Sequence, residues 1–267
     1  MAIITISRGS YSKGREVAEQ VARRLNYSTL SREIILEASK DFNISEVKLI
    51  RALHDAPSML ERFTFSREKF LAYIESALLE HFQKDNVVYH GLAGHFFVRN
   101  VSHVLKVRII ADLEERIRTE MEREGVSRGK AIEKLNKDDG ERRDWSVNLY
   151  GADPWDPGLY DLVIHIRKLT VENVVDLICQ AAAYEQFKTT PESQKALDDL
   201  ALAAKVRAAL IEKYPDVAVS SRAASVVIFT KAFETSDPEI IEDISCMAQK
   251  VPGVENVEVQ LTPATLV

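Results

Sequence analysis

The sequence predicts an α/β fold, a parallel sheet covered by helices on both sides, followed by a smaller α+β unit. Three observations carry this. Short β-branched runs alternate with amphipathic helical stretches as far as about residue 186, the pattern of strand–helix–strand units. The tract KTTPESQKALDD then turns polar. Beyond it the order is helix, two strands, helix, strand. A chain of 267 residues exceeds the usual single-domain size, so the expected organisation is a first domain at 1–186, a linker at 187–194 and a second domain at 195–267.

The elements follow in order. Ala2 to Ser7 is a β-branched run entering a tight turn, which predicts a buried central strand. After Gly14, Val17, Val21, Ala22 and Leu25 share one helical face while Arg23 and Arg24 take the other. Residues from Ser31 to about Gln83 read as a helical insertion. Strand character returns at NVVYH (86–90) and VLKVRIIA (104–111), both read as buried on two faces. Leu113 to Lys137 is helical and charged, with a break at Gly125-Val126-Ser127 that suggests a lid of two helices, Ser127 capping the second. WSVNLYGADPWDPGLYD is rich in turn formers, and LVIHI and VENVVDLICQAAAYEQF supply a last strand and helix. In the second part, LALAAKVRAALIEKY, VAVSS, SVVIFTKAF, a helix PEIIEDISCMAQKV capped by Ser236 or Asp237, and VENVEVQLT complete the reading.

Bulk properties limit the function classes. The net charge of −6 disfavours binding to nucleic acid or an anionic membrane surface, which carry like charge. Seventeen of the nineteen arginines lie between Arg8 and Arg167, which fits a phosphate-handling first part joined to something else. Cys179 and Cys246 fall in different halves and predict no disulfide. MAIITIS lacks the features of a signal peptide and no apolar run approaches the ~20 residues of a membrane span, so a cytoplasmic location is expected. His81, His90, His95 and His103 cluster in sequence without the spacing of a zinc site, and no metal ligand set is predicted.

The sharpest motif is IITISRGSYSKGRE. A glycine-bearing turn between a strand and a helix aims backbone N–H groups and the positive end of the helix dipole at one point, and phosphate is the expected occupant. Gly9-x4-Gly14 has the spacing of a P-loop, with Arg15 where a lysine normally reaches the phosphates and Glu16 where a hydroxyl would meet Mg2+. The candidate binding residues are Gly9, Ser10, Ser12, Lys13, Gly14, Arg15 and Glu16, with Ser7 a further hydrogen-bonding candidate.

This opening resembles the first strand, phosphate loop and helix of the cytidylate-kinase-like family, whose loop reads roughly S-R-E-x-G-S-G-G-R-E. Residues 104–165, VLKVRIIADLEERI through GLYDLVIH, resemble the same family's lid, D-x-x-R motif and final Tyr-Asp strand. The likeness covers about 1–185 and implies a three-layer αβα P-loop kinase-like fold with a helical insertion and lid. It implies that Arg15, Arg116, Asp139 and Arg142 act in catalysis, that Arg32 and Arg143 bind the acceptor, and that ATP and nucleotide-bound Mg2+ are used. Tyr11 and Lys13 replace two loop glycines, Ser31-Arg32 stands where Asp-Arg is expected, and Gly91-Leu92 stands where Gly-Arg is expected. Residues 196–262 resemble a BON domain through their element order and the ending VPGVENVEVQL. That family is associated with binding, and a protein partner is expected in preference to membrane.

Two readings follow. In one, the γ-phosphoryl group of ATP passes to a nucleoside or deoxynucleoside monophosphate. In the other, the kinase-like domain is a catalytically inactive sensor whose ligand acts through the BON-like domain.

Overall fold

The computed structural model describes residues 2–9, 12–31, 34, 37, 38, 40, 64–91, 94–231 and 238–262. The first sheet is parallel and holds β1 (Ile3–Arg8), β2 (Ser28–Leu30), β3 (Val87–Tyr89), β4 (Val104–Ala111) and β5 (Leu162–Ile166) in the order β2-β3-β1-β4-β5. Ile3, Ile4 and Ile6 are buried because β1 is central and covered on both faces, as the β-branched run predicts.

Alternation along the strands divides the core in two. Ile4, Ile6, Val88, Leu105, Val107 and Ile109 face α1 (Gly14–Leu25) and α6 (Val171–Ala182). Ile3, Val87, Tyr89 and Val104 face α2 (Thr64–Phe82) and α7 (Pro191–Leu210), with the short α3 (Gly94–Phe97) at the rim. The lid is a helix pair, α4 (Leu113–Glu124) and α5 (Arg128–Tyr150), with its own small core of Ile117, Ala131 and Leu135. Gly125 ends α4 in the left-handed region at φ 65, as the Gly-Val-Ser break foretells. Ser127 stands at the N-cap of α5 but makes no side-chain cap bond.

The turn-rich reading of 145–161 holds only from Gly151, which closes α5 at φ 61. The helix propensity of the lid carries through Trp145 to Tyr150. Most of the expected insertion, together with the caps at Ser236 and Asp237, lies outside the described residues; within it Ile34 and Ala38 are helical and buried.

The second sheet joins β6 (Ala218–Arg222), β7 (Ser225–Lys231) and β8 (Asn256–Thr262), antiparallel then parallel, with α8 (Pro238–Gln249) as the crossover. Residues 187–194, expected as a linker, contain Thr190, whose side chain caps α7 in a capping box with Ser193. That helix serves both cores. Leu197, Ala201, Ala204 and Ala208 pack with the first sheet's α2 side, while Val206 and Leu210 pack with Val217, Val226, Ile228 and Ile244 of the second unit. Polar pairs run along the same seam: Lys69 with Glu212, Arg207 with Glu75 at 3.5 Å and Lys205 with Glu80 at 3.2 Å.

Candidate functional site

β1 delivers Gly9 at its carboxyl end, and α1 begins at Gly14, so the connection lies at the switch point between β3 and β4. Ser12 is fully buried and its Oγ donates to the Gly9 carbonyl at 3.0 Å, closing the turn. A Cβ on Gly14 would lie 2.8 Å from Arg8 Cβ and Cδ, so only glycine lets the Arg8 side chain cross there. The N–H of Val17 makes the first bond back to Lys13, which leaves the preceding amides ahead of the helical ladder and aimed out of its N-terminus.

Lys13 takes the N-cap position in the left-handed region, φ 59 and ψ 9. This is a conformation that glycine adopts readily and that costs a residue with a side chain. Its Nζ pairs with Glu115 of α4 at 2.8 Å. Lys13 therefore reaches from the loop to the lid.

The lid supplies two more cations. The Arg116 guanidinium passes within 3.7 to 3.9 Å of the point where a Gly9 Cβ would sit, and its Nη2 donates to Asp139 Oδ2 of α5 at 2.6 Å. Arg142, one turn further along α5, donates through Nη1 to the Arg8 carbonyl at 3.4 Å. The D-x-x-R spacing thus places Asp139 and Arg142 on one face of α5, where the first holds Arg116 and the second touches the loop backbone. Cations and amides converge from three elements, a geometry suited to a phosphate group.

The other sequence-predicted residues lie elsewhere. Arg15 is exposed along α1, its Nε bonded to Glu19 at 2.7 Å, one helical turn on. Glu16 is likewise exposed and accepts from Gln20 at 3.3 Å. Arg143 donates twice to Asp153 Oδ2, at 3.0 and 2.6 Å, and its guanidinium covers the Trp155 ring at 4.5 Å. That bond holds the Asp153 carboxyl below the usual range. Ser10 and Arg32 fall outside the described residues. Among the described residues no three His, Cys, Asp or Glu side chains gather as a metal set.

Sequence reasoning missed a second polar cluster beside the loop. The Tyr160 hydroxyl donates to the Pro154 carbonyl at 2.9 Å and lies 3.2 Å from Ser7 Oγ, 3.4 Å from His95 Nε2 and 3.4 Å from Arg108 Nη1. His95 is neutral: burial, with Arg108 adding to it, pushes its pKa down to about 3. The available signal was Lys106 and Arg108, two cations at alternating positions in the run VLKVRIIA. One face of β4 therefore carries Lys106 and Arg108 between Val104 and Ile110, and only the other is wholly apolar. No helix among the described residues is long and apolar enough to cross a membrane.

The family model "Cytidylate kinase-like family" matches residues 3–168. The chain is 26% identical over 176 residues to the cytidylate kinase of Sulfolobus acidocaldarius, covering 66% of this chain and 91% of that one. It is 28% identical over 184 residues to the cytidylate kinase of Staphylothermus marinus, covering 67% and 94% respectively. A crystal structure of an uncharacterized protein from Eubacterium ventriosum superposes with a TM-score of 0.52 at 20% identity, over 68% of this chain and 98% of that one, and shares the fold. With the match spanning the phosphate loop, the lid and the last strand of the first sheet, the chain belongs to the cytidylate kinase-like family.

Proposed function

We propose that residues 1–186 bind a nucleoside triphosphate at the Gly9–Gly14 loop and transfer its γ-phosphoryl group to a nucleoside or deoxynucleoside monophosphate, with CMP, dCMP and UMP the first acceptors to test. The carrying observation is the convergence of Lys13, Arg116 and Arg142 on the turn between β1 and α1. Phosphoryl transfer asks the protein for position and positive charge, with little covalent chemistry.

Gly9, Ser12 and Gly14 shape the loop so that the amides at the start of α1 meet the phosphates. Lys13 exchanges Glu115 for phosphate oxygen, and the lid arginines stabilise charge on the transferred group. Asp139 keeps the Arg116 fork oriented before the nucleotide arrives. Arg15 adds charge at longer range, Arg32 and Arg143 are the acceptor-binding candidates that the family resemblance implies, and Glu16 fills the position at which a P-loop hydroxyl would meet the metal. Magnesium bound with the triphosphate would supply charge neutralisation on the phosphates.

A second reading rests on α7 and on the chain's departures from the family loop. In it the first domain senses a nucleotide without turnover, and the 195–267 unit, with the helix–strand–strand–helix–strand order of a BON-like domain, presents the result to a protein partner. The shared helix supports it, because α7 packs both against α2 and within the second core, so the two units have a common element through which a shift of one could bias the other. A coupled assay with ATP, Mg2+ and each monophosphate separates the two. Turnover supports transfer and removes the sensor reading; calorimetric binding of ATP without turnover does the reverse.

A further inference from the structure

β1 and β4 run in register, with Thr5 opposite Lys106 and Ser7 opposite Arg108. On the face toward α2 these strands begin with the apolar Ile3 and Val104, and alternation places Thr5, Ser7, Lys106 and Arg108 on that same face toward the carboxyl ends. Arg108 is only 9% exposed. Its Nη1 donates to the Tyr160 hydroxyl at 3.4 Å and its guanidinium lies 5.6 Å from that ring's centroid. Asp153, a carboxylate within its field, is held by two bonds from Arg143. Among the described residues, no carboxylate pairs with Arg108.

Burying a guanidinium without a counter-charge is costly, and folded proteins keep such groups where an anion completes them. The groups that touch this cluster add hydrogen bonding, while the nearest carboxylates are engaged elsewhere, Asp153 by Arg143 and Asp161 by the Lys106 N–H at 2.7 Å. Ser7 and Tyr160 offer hydroxyls, His95 is neutral, and Lys106 donates from Nζ to the Arg99 carbonyl at 3.3 Å. Thr5 Oγ1, on the same face, is buried with no hydrogen-bond partner among the described residues. An anion at Arg108 would be distinct from one at the loop amides, because α1 packs on the opposite face of the sheet, against Ile4 and Ile6.

We propose that Arg108 binds the phosphate of the phosphoryl acceptor, supported by Ser7 and Tyr160, in a chain whose sequence after β3 reads Gly91-Leu92 and offers no arginine there. This rests on the transfer reading of the Gly9–Gly14 loop. The side chain is a substrate-binding residue that β4 delivers.

The test compares wild type, Arg108→Met and Arg108→Lys by calorimetry, titrating CMP, dCMP and UMP each against its parent nucleoside. Wild type is expected to prefer the monophosphate at least tenfold, Arg108→Met to bind the two alike, and Arg108→Lys to fall between. Affinity for ATP and the melting temperature of the free protein stay unchanged or rise in Arg108→Met, since the variant removes an uncompensated buried charge. A purely structural arginine predicts instead a lower melting temperature with the monophosphate preference kept, and that result overturns the proposal. So does a wild type with no preference for any of the three monophosphates. If wild type binds them but transfers nothing from ATP, the transfer reading fails while the binding comparison still decides the role of Arg108.

Discussion

Lys13 and Arg15 sit two residues apart, and sequence spacing favours Arg15 as the phosphate cation. Backbone geometry favours Lys13. Its positive φ turns the side chain from the helix toward the lid, whereas Arg15 follows α1 to Glu19. Lys13→Ala is therefore expected to weaken ATP binding about tenfold, the scale of one charge-assisted hydrogen bond, and Arg15→Ala less than about threefold. Calorimetry of both variants checks the order. A larger effect at Arg15 would return the phosphate to the spacing-based assignment.

His95 makes a second residue-scale prediction. Its folded pKa is depressed to about 3 against about 6.5 unfolded, so between those values the unfolded chain binds more protons. Stability is thus complete above pH 6.5 and falls as pH drops toward 3, by on the order of a few kcal/mol from this group. His90, depressed by burial and by Arg8, acts in the same direction. Urea melts of wild type and His95→Gln from pH 7 to 4 check this; the variant should show the shallower decline. Parallel curves would mean that His95 does not set the slope.

At the scale of elements, the lid is a satellite with its own core. Ile117, Ala131 and Leu135 are buried among themselves, and Glu120, fully buried, pairs with Lys134 at 2.7 Å and Arg123 at 3.5 Å. Leu135→Ala truncates one of the two large buried side chains of that small core, at a local cost of about 2–5 kcal/mol. The expected result is faster hydrogen exchange across 113–150, with protection of β1 and β4 retained. Uniform loss of protection would show that the lid and sheet unfold together. The two lid helices were legible in the sequence because Gly125 and the charge periodicity are local signals. That Asp139 grips Arg116, a residue of the other helix, depends on how the pair packs.

At the scale of the whole molecule, α7 joins the parts. The polar tract around 187–199 reads as a boundary, yet capping by Thr190 starts a helix at Pro191 whose apolar residues are divided between two partners. The His103 ring bonds Ser193 Oγ at 2.8 Å, fixing the start of α7 to the start of β4. A chain cut after Lys188 uncovers the surface beneath Leu197, Ala201, Ala204 and Ala208. Its loss is on the order of 5 kcal/mol, a large share of a typical folding free energy. Such a fragment is expected to aggregate or to melt well below the full chain. A soluble fragment with an unchanged melting temperature would show that the first domain stands alone.

By itself the sequence determined what periodicity and local turn chemistry encode: the central strand, the glycine turn after it, the paired lid helices, and the helix–strand–strand–helix–strand order of the second part. It also carried the family likeness, since loop and D-x-x-R spacings are linear patterns. Only the tertiary structure decided which cations meet. Ser7 and Arg108 are a hundred residues apart and become neighbours through strand register, and Tyr160 joins them from a turn past the lid. Helix and strand patterns specify which face of an element is buried. They do not specify what another element will place against it.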